Sequence, residues 1–437
     1  MSTKKSTKRT KLTSLEKKWI LYDVANSAFT LMVSTLFSIY FGALFKNDAG
    51  LIARFGDKIG SQQLAYWNYA GTICTIIVAL LGPVLGTIAD RHKKRKQLFI
   101  LTVVLGAGCT LLMGTATGWL YFLIVFVIAK IWYQASLVIY DSMINDVTSD
   151  ARSDSVSSYG FAYGYIGSVI PVFVCLVLFL LAHLGKRPFD DMIAMRISFV
   201  ITALWWFVFS LPLMKEYRQI HTESEAEAKT NGFAQFLASV RDLAATNRKA
   251  LYFVIGFFFY NDGVYTIIGN ASAYADSLGL NSVAMLEALL VTQIVAFPCA
   301  ILTGRLAKKI GPEKVVMACI LGYTGIAVIA FFLDTELEFW ILCVLVGVFQ
   351  GGIQALSRSY FARIIPKSTS GQYFSIYDIF GKGATAIGGL ILGAVSAVTG
   401  RQNMGILPII GFFVVGAVLF YKSAKTPSSV APEDAAD

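Results

Sequence analysis

Apolar stretches long enough to cross a bilayer, about 20 residues each, follow one another along almost the whole of this chain. They lie near 19–45, 63–89, 97–116, 119–145, 156–183, 193–214, 249–275, 281–308, 314–333, 338–364, 371–398 and 403–422. Hydrocarbon offers no water to backbone polar groups, so each stretch must bond its own N–H and C=O groups as a helix or join a closed barrel. A barrel strand alternates apolar and polar residues, and runs such as Ile76 to Leu81 do not. The expectation is an all-α membrane protein of twelve transmembrane helices. Composition agrees: 56% of the 437 residues are hydrophobic, only 15% are charged, and mean hydropathy is +0.63, far from the averages of soluble domains.

Charge sets the orientation. With both termini inside, only Lys46, Arg54, Lys58, Lys186, Arg187, Arg196 and Arg401 of the 37 Lys and Arg fall in outer loops, which is the positive-inside pattern. The net charge of +10 therefore answers to anionic lipid headgroups beside helix ends rather than to nucleic acid. Six cysteines without CxxC spacing, all inside apolar segments, read as small buried hydrophobes. Three histidines, His92, His183 and His221, are too few and too scattered for a metal centre. No GxxxxGK[ST] loop, HExxH or GxSxG occurs, so ATP-driven pumping and hydrolytic chemistry are disfavoured and no cofactor is expected.

The chain repeats itself. Gly86-Thr-Ile-Ala-Asp90-Arg91 follows segment 2, and Gly304-Arg-Leu-Ala-Lys308-Lys309 follows segment 8, 218 residues later. Gln134 and Tyr140 of segment 4 recur as Gln354 and Tyr360 of segment 10 at an offset of 220, and Tyr22-Asp23 is echoed by Tyr260-Asn261-Asp262. Duplicated six-helix halves follow. The division expected is a basic cytosolic tail over 1–18, a first bundle over 19–214, a link over 215–247, a second bundle over 248–423 and a disordered tail over 424–437. In the link, Phe233, Phe236, Leu237, Val240, Leu243 and Ala244 fall at helical spacing, an amphipathic helix lying either on the membrane surface or against the bundle's own inner ends.

An ionisable group in hydrocarbon costs at least a few kcal/mol and faces a partner or a wet cavity, so polar positions inside the segments are the functional pointers. Asp23, Asn26, Ser27, Thr30 and Ser34 share one face of segment 1. Lys130, Tyr133, Gln134 and Asp141 form a stripe on segment 4, and Gln350, Gln354 and Arg358 form one on segment 10. Segment 7 carries Tyr260, Asn261, Asp262 and Thr266 near half depth, and segment 11 carries Asp378 and Lys382 one turn apart. Such groups either line a cavity or hold helices together. Asp23, close to the inner surface, serves either a gate or the solute, and Lys130 is either a functional cation or a structural counter-ion.

Twelve helices as six plus six, with Gly86-xxx-Asp90-Arg91-x-x-Lys94-Arg95 between segments 2 and 3, resemble the major facilitator superfamily and its loop motif. The motif's usual glycine is Lys93 here, while Gly311 keeps it in the second copy. Within that superfamily the chain is similar to the vacuolar-effluxer-like, autophagy-related family and its bacterial relatives. Trp19-Ile-Leu-Tyr-Asp-Val-Ala-Asn-Ser-Ala-Phe29, Val156-Ser-Ser-Tyr-Gly160, Trp205-Trp206, Tyr260-Asn-Asp-Gly263, Gly351-Gly-Ile-Gln-Ala-Leu-Ser-Arg-Ser359 and Phe380-Gly-Lys382 carry the likeness. The resemblance implies alternating access around a cavity lined by helices 1, 4, 7 and 10. It also implies a latch in which Asp90, with Arg91 beside it, holds helix 2 to helix 11; Lys308 stands where the second copy would carry the acid.

These features predict a secondary transporter in a bacterial plasma or inner membrane, monomeric, with both termini cytoplasmic. It would move a small polar or zwitterionic solute, amino acids or related metabolites first, in the direction of efflux and coupled to a proton or sodium ion. The expected cavity set is Asn26, Lys130, Tyr133, Gln134, Tyr260, Asn261, Asp262, Thr266, Gln350, Gln354, Asp378 and Lys382. Expected at the gate and latch are Asp23, Gly86, Asp90, Arg91, Lys94, Arg95, Gly304, Gly311 and Arg358. A lipid or amphiphile flippase and a transport-dead receptor are the rival readings.

Overall fold

The computed structural model describes residues 11–91, 93–184, 190–222, 240–241, 243–277, 282–399 and 402–428. A few helical positions, Lys382 and the neighbours up to Ala386 among them, are described by backbone only. The twelve long helices among these residues are α1 (Ser14–Lys46), α2 (Ile59–Arg91), α3 (Arg95–Met113), α4 (Trp119–Ser142), α5 (Asp150–His183), α6 (Asp191–Glu216), α7 (Arg248–Ser277), α8 (Ser282–Ile310), α9 (Pro312–Phe331), α10 (Glu336–Ile364), α11 (Ser370–Thr399) and α12 (Leu407–Lys425). Eleven of them are long and apolar enough over their described residues to cross a membrane, and α11 supplies the twelfth long helix. Their outward faces carry residues such as Leu80, Leu101, Phe173, Leu204, Leu302, Leu321 and Leu390, all well exposed. In lipid such faces need no partner.

Helix ends follow local chemistry. Thr13 and Glu16 form a capping box, Glu16 N–H donating to Thr13 Oγ1 at 3.1 Å and Thr13 N–H to Glu16 Oε2 at 2.7 Å. That box starts α1 at Ser14, ahead of residue 19 where the apolar run begins. A five-residue π-helical turn, Val33–Phe37, interrupts the same helix. Thr335 and Glu338 cap α10 in the same way, and Gly311, at φ +93, delivers the chain to Pro312 at the start of α9. In the first half the matching turn places Lys93 at φ +51. A lysine thus adopts the left-handed conformation that glycine adopts without steric cost.

Packing confirms the duplication. In the first half α1 packs on α5 and α6, α2 on α4, and α3 on α4 and α6; the second half repeats this with α7 on α11 and α12, α8 on α10, and α9 on α10 and α12. A matched pair of buried hydrogen bonds marks the equivalence: Tyr22 to Ser136 at 2.6 Å between α1 and α4, and Tyr260 to Ser357 at 2.7 Å between α7 and α10. Across the halves α2 and α4 meet α11, and α5 meets α8 and α10. Of the link's amphipathic stripe, Phe233, Phe236 and Leu237 lie outside the described residues, while Val240 and Leu243 pack against the bundle's apolar core.

Candidate functional site: a buried charged contact between the halves

The starts of α1 and α5 and the ends of α10 and α12 lie on one face, and the halves are bonded on that side. Well inside the bundle the halves still meet at Tyr165 and Gln354. There, Tyr165 of α5 donates to Gln354 Oε1 at 2.6 Å, while Gln354 Nε2 reaches the hydroxyl of Tyr265 on α7 at 3.5 Å.

One turn below sits Arg358. Its guanidinium donates to Ser157 Oγ at 2.9 Å, Asp141 Oδ1 at 3.1 Å and Asp23 Oδ2 at 3.1 Å, tying α10 to α5, α4 and α1. Trp19 and Phe161 cover its two faces at 4.5 and 4.4 Å, a dry arrangement that suits the planar, weakly hydrated guanidinium. Ser157 in turn donates to the carbonyl of Ala355 at 2.7 Å. Gly160 is required here: a Cβ on it would lie 3.0 Å from Arg358 and collide with the Asp23 carboxylate. The sequence signatures YDVANS, VSSYG and LSRS thus meet at one buried node. Asp378 of α11 lies near enough to Asp141 and Tyr265 to act on both electrostatically.

Nearer the chain ends, Asp154 accepts from Ser359 at 2.7 Å and Arg363 at 2.8 Å, and Lys367 pairs with Asp150 at 3.3 Å. The loop after α2 forms the last layer. Asp90, fully buried, accepts the N–H groups of Gly371 at 3.0 Å and Gln372 at 2.9 Å. These are orphan donors at the start of α11, where the helix dipole favours an anion. Gly86 makes the approach possible, since a Cβ there would sit 2.5 Å from the Gly371 carbonyl and from Ser375 Oγ. Arg95 bridges Asp90 and Asp146, each at 2.5 Å, and reaches Ser370 at 3.0 Å. Asp146 also gathers the start of the link, accepting from Tyr217 at 2.5 Å, from the backbone of Ile220 at 3.2 Å and of His221 at 2.9 Å, with His221 Nδ1 at 2.8 Å. Burial works to raise its pKa, but the bonds to His221 and the Arg95 charge outweigh that and hold the carboxyl below the ordinary range.

The expected gate residues Asp23, Asp90, Arg95, Arg358 and Gly86 meet at these layers. Gly304 is a second close approach, its Cβ position 2.5 Å from Ser158 Oγ of α5, and Gly311 turns the chain between α8 and α9. A cation that pairs with Asp90 is Arg95, which the left-handed turn at Lys93 brings, as the first residue of α3, back to the end of α2. Lys94 is exposed and outside the latch.

The described side chains of the expected cavity set are spread over several separate contacts. Gln134 faces α2, where Cys74 approaches its Oε1 at 3.7 Å. Lys130 lies over the Phe126 ring at 5.6 Å, beside Gly71 of α2. Tyr260 is buried in the second half's aromatic core. Asn261 donates to the Gly381 carbonyl at 2.8 Å, and Asp262 and Thr266 are buried against α11. Asn26 folds onto the Tyr22 carbonyl at 2.9 Å, and Tyr133 bonds Thr30 at 2.5 Å. Gln350 is buried on α10, and Gln354 and Asp378 remain beside the gate; the Lys382 side chain lies outside the described residues. The physical reason is that most of these groups found partners within their own half. Tyr165, Tyr265, Ser157, Asp154 and Asp146 were not singled out. An aromatic or a serine in an apolar helix carries no sequence signal of its own, but the acids flanking segment 5 do.

Two pseudo-equivalent six-helix bundles, locked at one face by buried charge between them, define a major facilitator transporter. Solved structures agree on the fold. The fucose:proton symporter of E. coli in its outward conformation aligns with a TM-score of 0.70 at 16% identity, over 94% of this chain and 98% of that one. A bacterial homologue of the iron transporter ferroportin, outward-facing, aligns at 0.65 with 15% identity, over 94% and 99%. Residues 13–428 match the family described as vacuole effluxer Atg22 like, and the chain belongs to it. The MFS-type transporter YxiO of Bacillus subtilis is 36% identical over 412 residues, 94% of each chain. Autophagy-related protein 22 of Kluyveromyces lactis is 24% identical, over 86% of this chain and 82% of its own. The family is one of multi-pass membrane transporters, not enzymes.

Proposed function

We propose that this transporter moves a small polar or zwitterionic solute, amino acids foremost, by alternating access, and that the geometry described is the state closed toward the cytoplasm. The Arg358 node carries this reading: one guanidinium joins α10 to three helices of the other half, directly beneath the polar set Gln354, Tyr165 and Tyr265. A buried cation shared by Asp23 and Asp141, with Asp378 close by, is strained toward exchange. A zwitterion entering from the open side brings a carboxylate for Arg358 and an ammonium for the acids, so it can compete for the lock itself. The Lys and Arg bias supports cytoplasmic termini, and the bacterial relative supports a bacterial plasma membrane. The family description supports efflux, and coupling to a proton or sodium ion would supply the energy.

A thermal-stability screen of the purified chain across amino acids, sugars, nucleosides and lysolipids tests this directly. An amino acid should raise the melting temperature of the wild type and fail to do so for Gln354→Ala. Stabilisation by lysolipids alone would discard the reading.

A further inference from the structure

Asp262 is the one expected cavity acid that the gate does not use. It is fully buried in α7. One oxygen, Oδ1, accepts from the Gly388 N–H of α11 at 3.1 Å and from the Thr266 hydroxyl at 3.4 Å. The other, Oδ2, is buried without a hydrogen-bond partner. Residue 388 must be glycine for this contact, since a Cβ there would stand 2.6 Å from Oδ1.

No cation pairs with Asp262 among the described residues. Charged and titratable groups on the helices around it have the following places. On α11, Asp378 lies ten residues toward the gate, about 15 Å along the helix, and acts on Asp141 and Tyr265. Lys382 is six residues from Gly388, about 9 Å along the axis, with its side chain outside the described residues. On α9, Tyr323 stacks on Phe413 of α12; on α12, Lys422 and Lys425 sit at the terminal end; on α10, Arg358 is held in the gate. Within α7, Tyr265 turns to Gln354.

A carboxyl enclosed in this way, with one oxygen bonded to neutral donors and the other buried and unbonded, can take one proton on its free oxygen. We propose that Asp262 is the site at which this carrier takes up its coupling proton, an inference that rests on the carrier reading above only for the word coupling. A proton from water adds to Oδ2 and forms an O–H bond; its release to water leaves a carboxylate that must be hydrated, and hydration requires α11 to part from α7 at Gly388. The same α11 is clamped by Asp90 at Gly371 and Gln372. One rigid helix therefore covers the proton site at one point and forms the latch arm at another, so each event biases the other.

Infrared difference spectroscopy on the full chain in liposomes, titrated from mildly acidic to mildly alkaline buffer, tests this without any solute. The wild type should show the C=O band of a protonated carboxyl that is lost in Asp262→Asn and kept in Asp378→Asn. The asparagine retains an acceptor for Gly388 N–H and Thr266, and Asp262→Glu, which should move the band without abolishing it, guards against a fold defect. A band unchanged in Asp262→Asn, or one displaced by sodium at constant pH, overturns the proposal. If solute stabilisation persists while the band is absent, the proton site alone fails; if the band behaves as expected but no amino acid binds, only the substrate reading fails.

Discussion

The two junctions between the halves use the same steric device and different electrostatics. At α2 and α11, Gly86 lets two backbones touch; at α8 and α5, Gly304 lets α8 reach Ser158 in the corresponding place. Only the first junction has an acid at the helix end. Asp90 closes on the N-terminus of α11, while Lys308, its counterpart, is exposed and would oppose the dipole of α5. The second junction carries its acids on α5 itself, Asp150 and Asp154, paired with Lys367 and Arg363 beyond the Arg358 node. Duplication has conserved the shape of the contact and let the charge migrate. The first junction is a buried, fully enclosed network with Arg95 and Asp90 at zero exposure; in the second, Arg363 keeps a fifth of its side-chain surface in water.

That asymmetry predicts unequal costs. Removing one member of a buried, hydrogen-bonded charge set costs about 3–5 kcal/mol because its partners stay buried and unpaired. Asp90→Ala should therefore open the terminal face strongly, which spin labels placed across it would read as a longer distance distribution. Asp154→Ala should cost only about 1–2 kcal/mol, since Arg363 can turn to water. Equal shifts in the two variants would mean that both junctions contribute alike and that the dipole cap at α11 adds nothing.

The steric half of the comparison gives a smaller, separable effect. A methyl at residue 86 meets the Gly371 carbonyl, which is backbone and cannot swing aside, so Gly86→Ala should cost about 1–3 kcal/mol as an overpacked contact. Gly304→Ala meets Ser158, whose Oγ can change rotamer though its Cβ at 2.6 Å cannot, and no backbone atom nearer than the Asp154 carbonyl at 3.5 Å, so it should cost less. The order of the two melting temperatures in detergent checks this; a reversed order would show that α5 is the stiffer partner.

Much of this was legible beforehand because hydropathy and repeats are local. The twelve helices could be read from residues near one another in sequence, and the halves from motifs that recur about 220 residues later. The capping box Thr13-Ser14-Leu15-Glu16 was also readable and would have placed the start of α1 correctly. What was not legible is direction. The stripe Lys130, Tyr133, Gln134, Asp141 is real, yet a stripe does not say which of several neighbouring helices it faces. Gln134 went to α2 and Asp141 to Arg358. The place of Arg95 beside Asp90 depends on a left-handed lysine at 93, a conformation that side-chain identity argues against. Asp146 is marked in sequence only as an acid between segments 4 and 5, since its partners Arg95, Tyr217, Ile220 and His221 lie 51 to 75 residues away along the chain.

Asp146 supplies the smallest and most diagnostic prediction, because among the described residues no acid at the second junction gathers the link in this way. It fastens Tyr217, Ile220 and His221 at the start of the link to Arg95, so the strap between the halves is tied to the first latch. Its carboxyl titrates below the ordinary range in the folded chain, so a released strap binds the proton more readily. The contribution to docking is therefore complete above the usual carboxylate pKa of about 4 and is lost only as pH falls through the lowered value. Amide hydrogen exchange at Ile220 and His221 should stay protected from neutral pH into mild acid and rise only beyond it. In Asp146→Asn the same amides should exchange faster already at neutral pH, while those at the end of α12 are unchanged. Protection that disappears in mild acid in the wild type would assign the strap to a group other than Asp146 and would detach it from the latch.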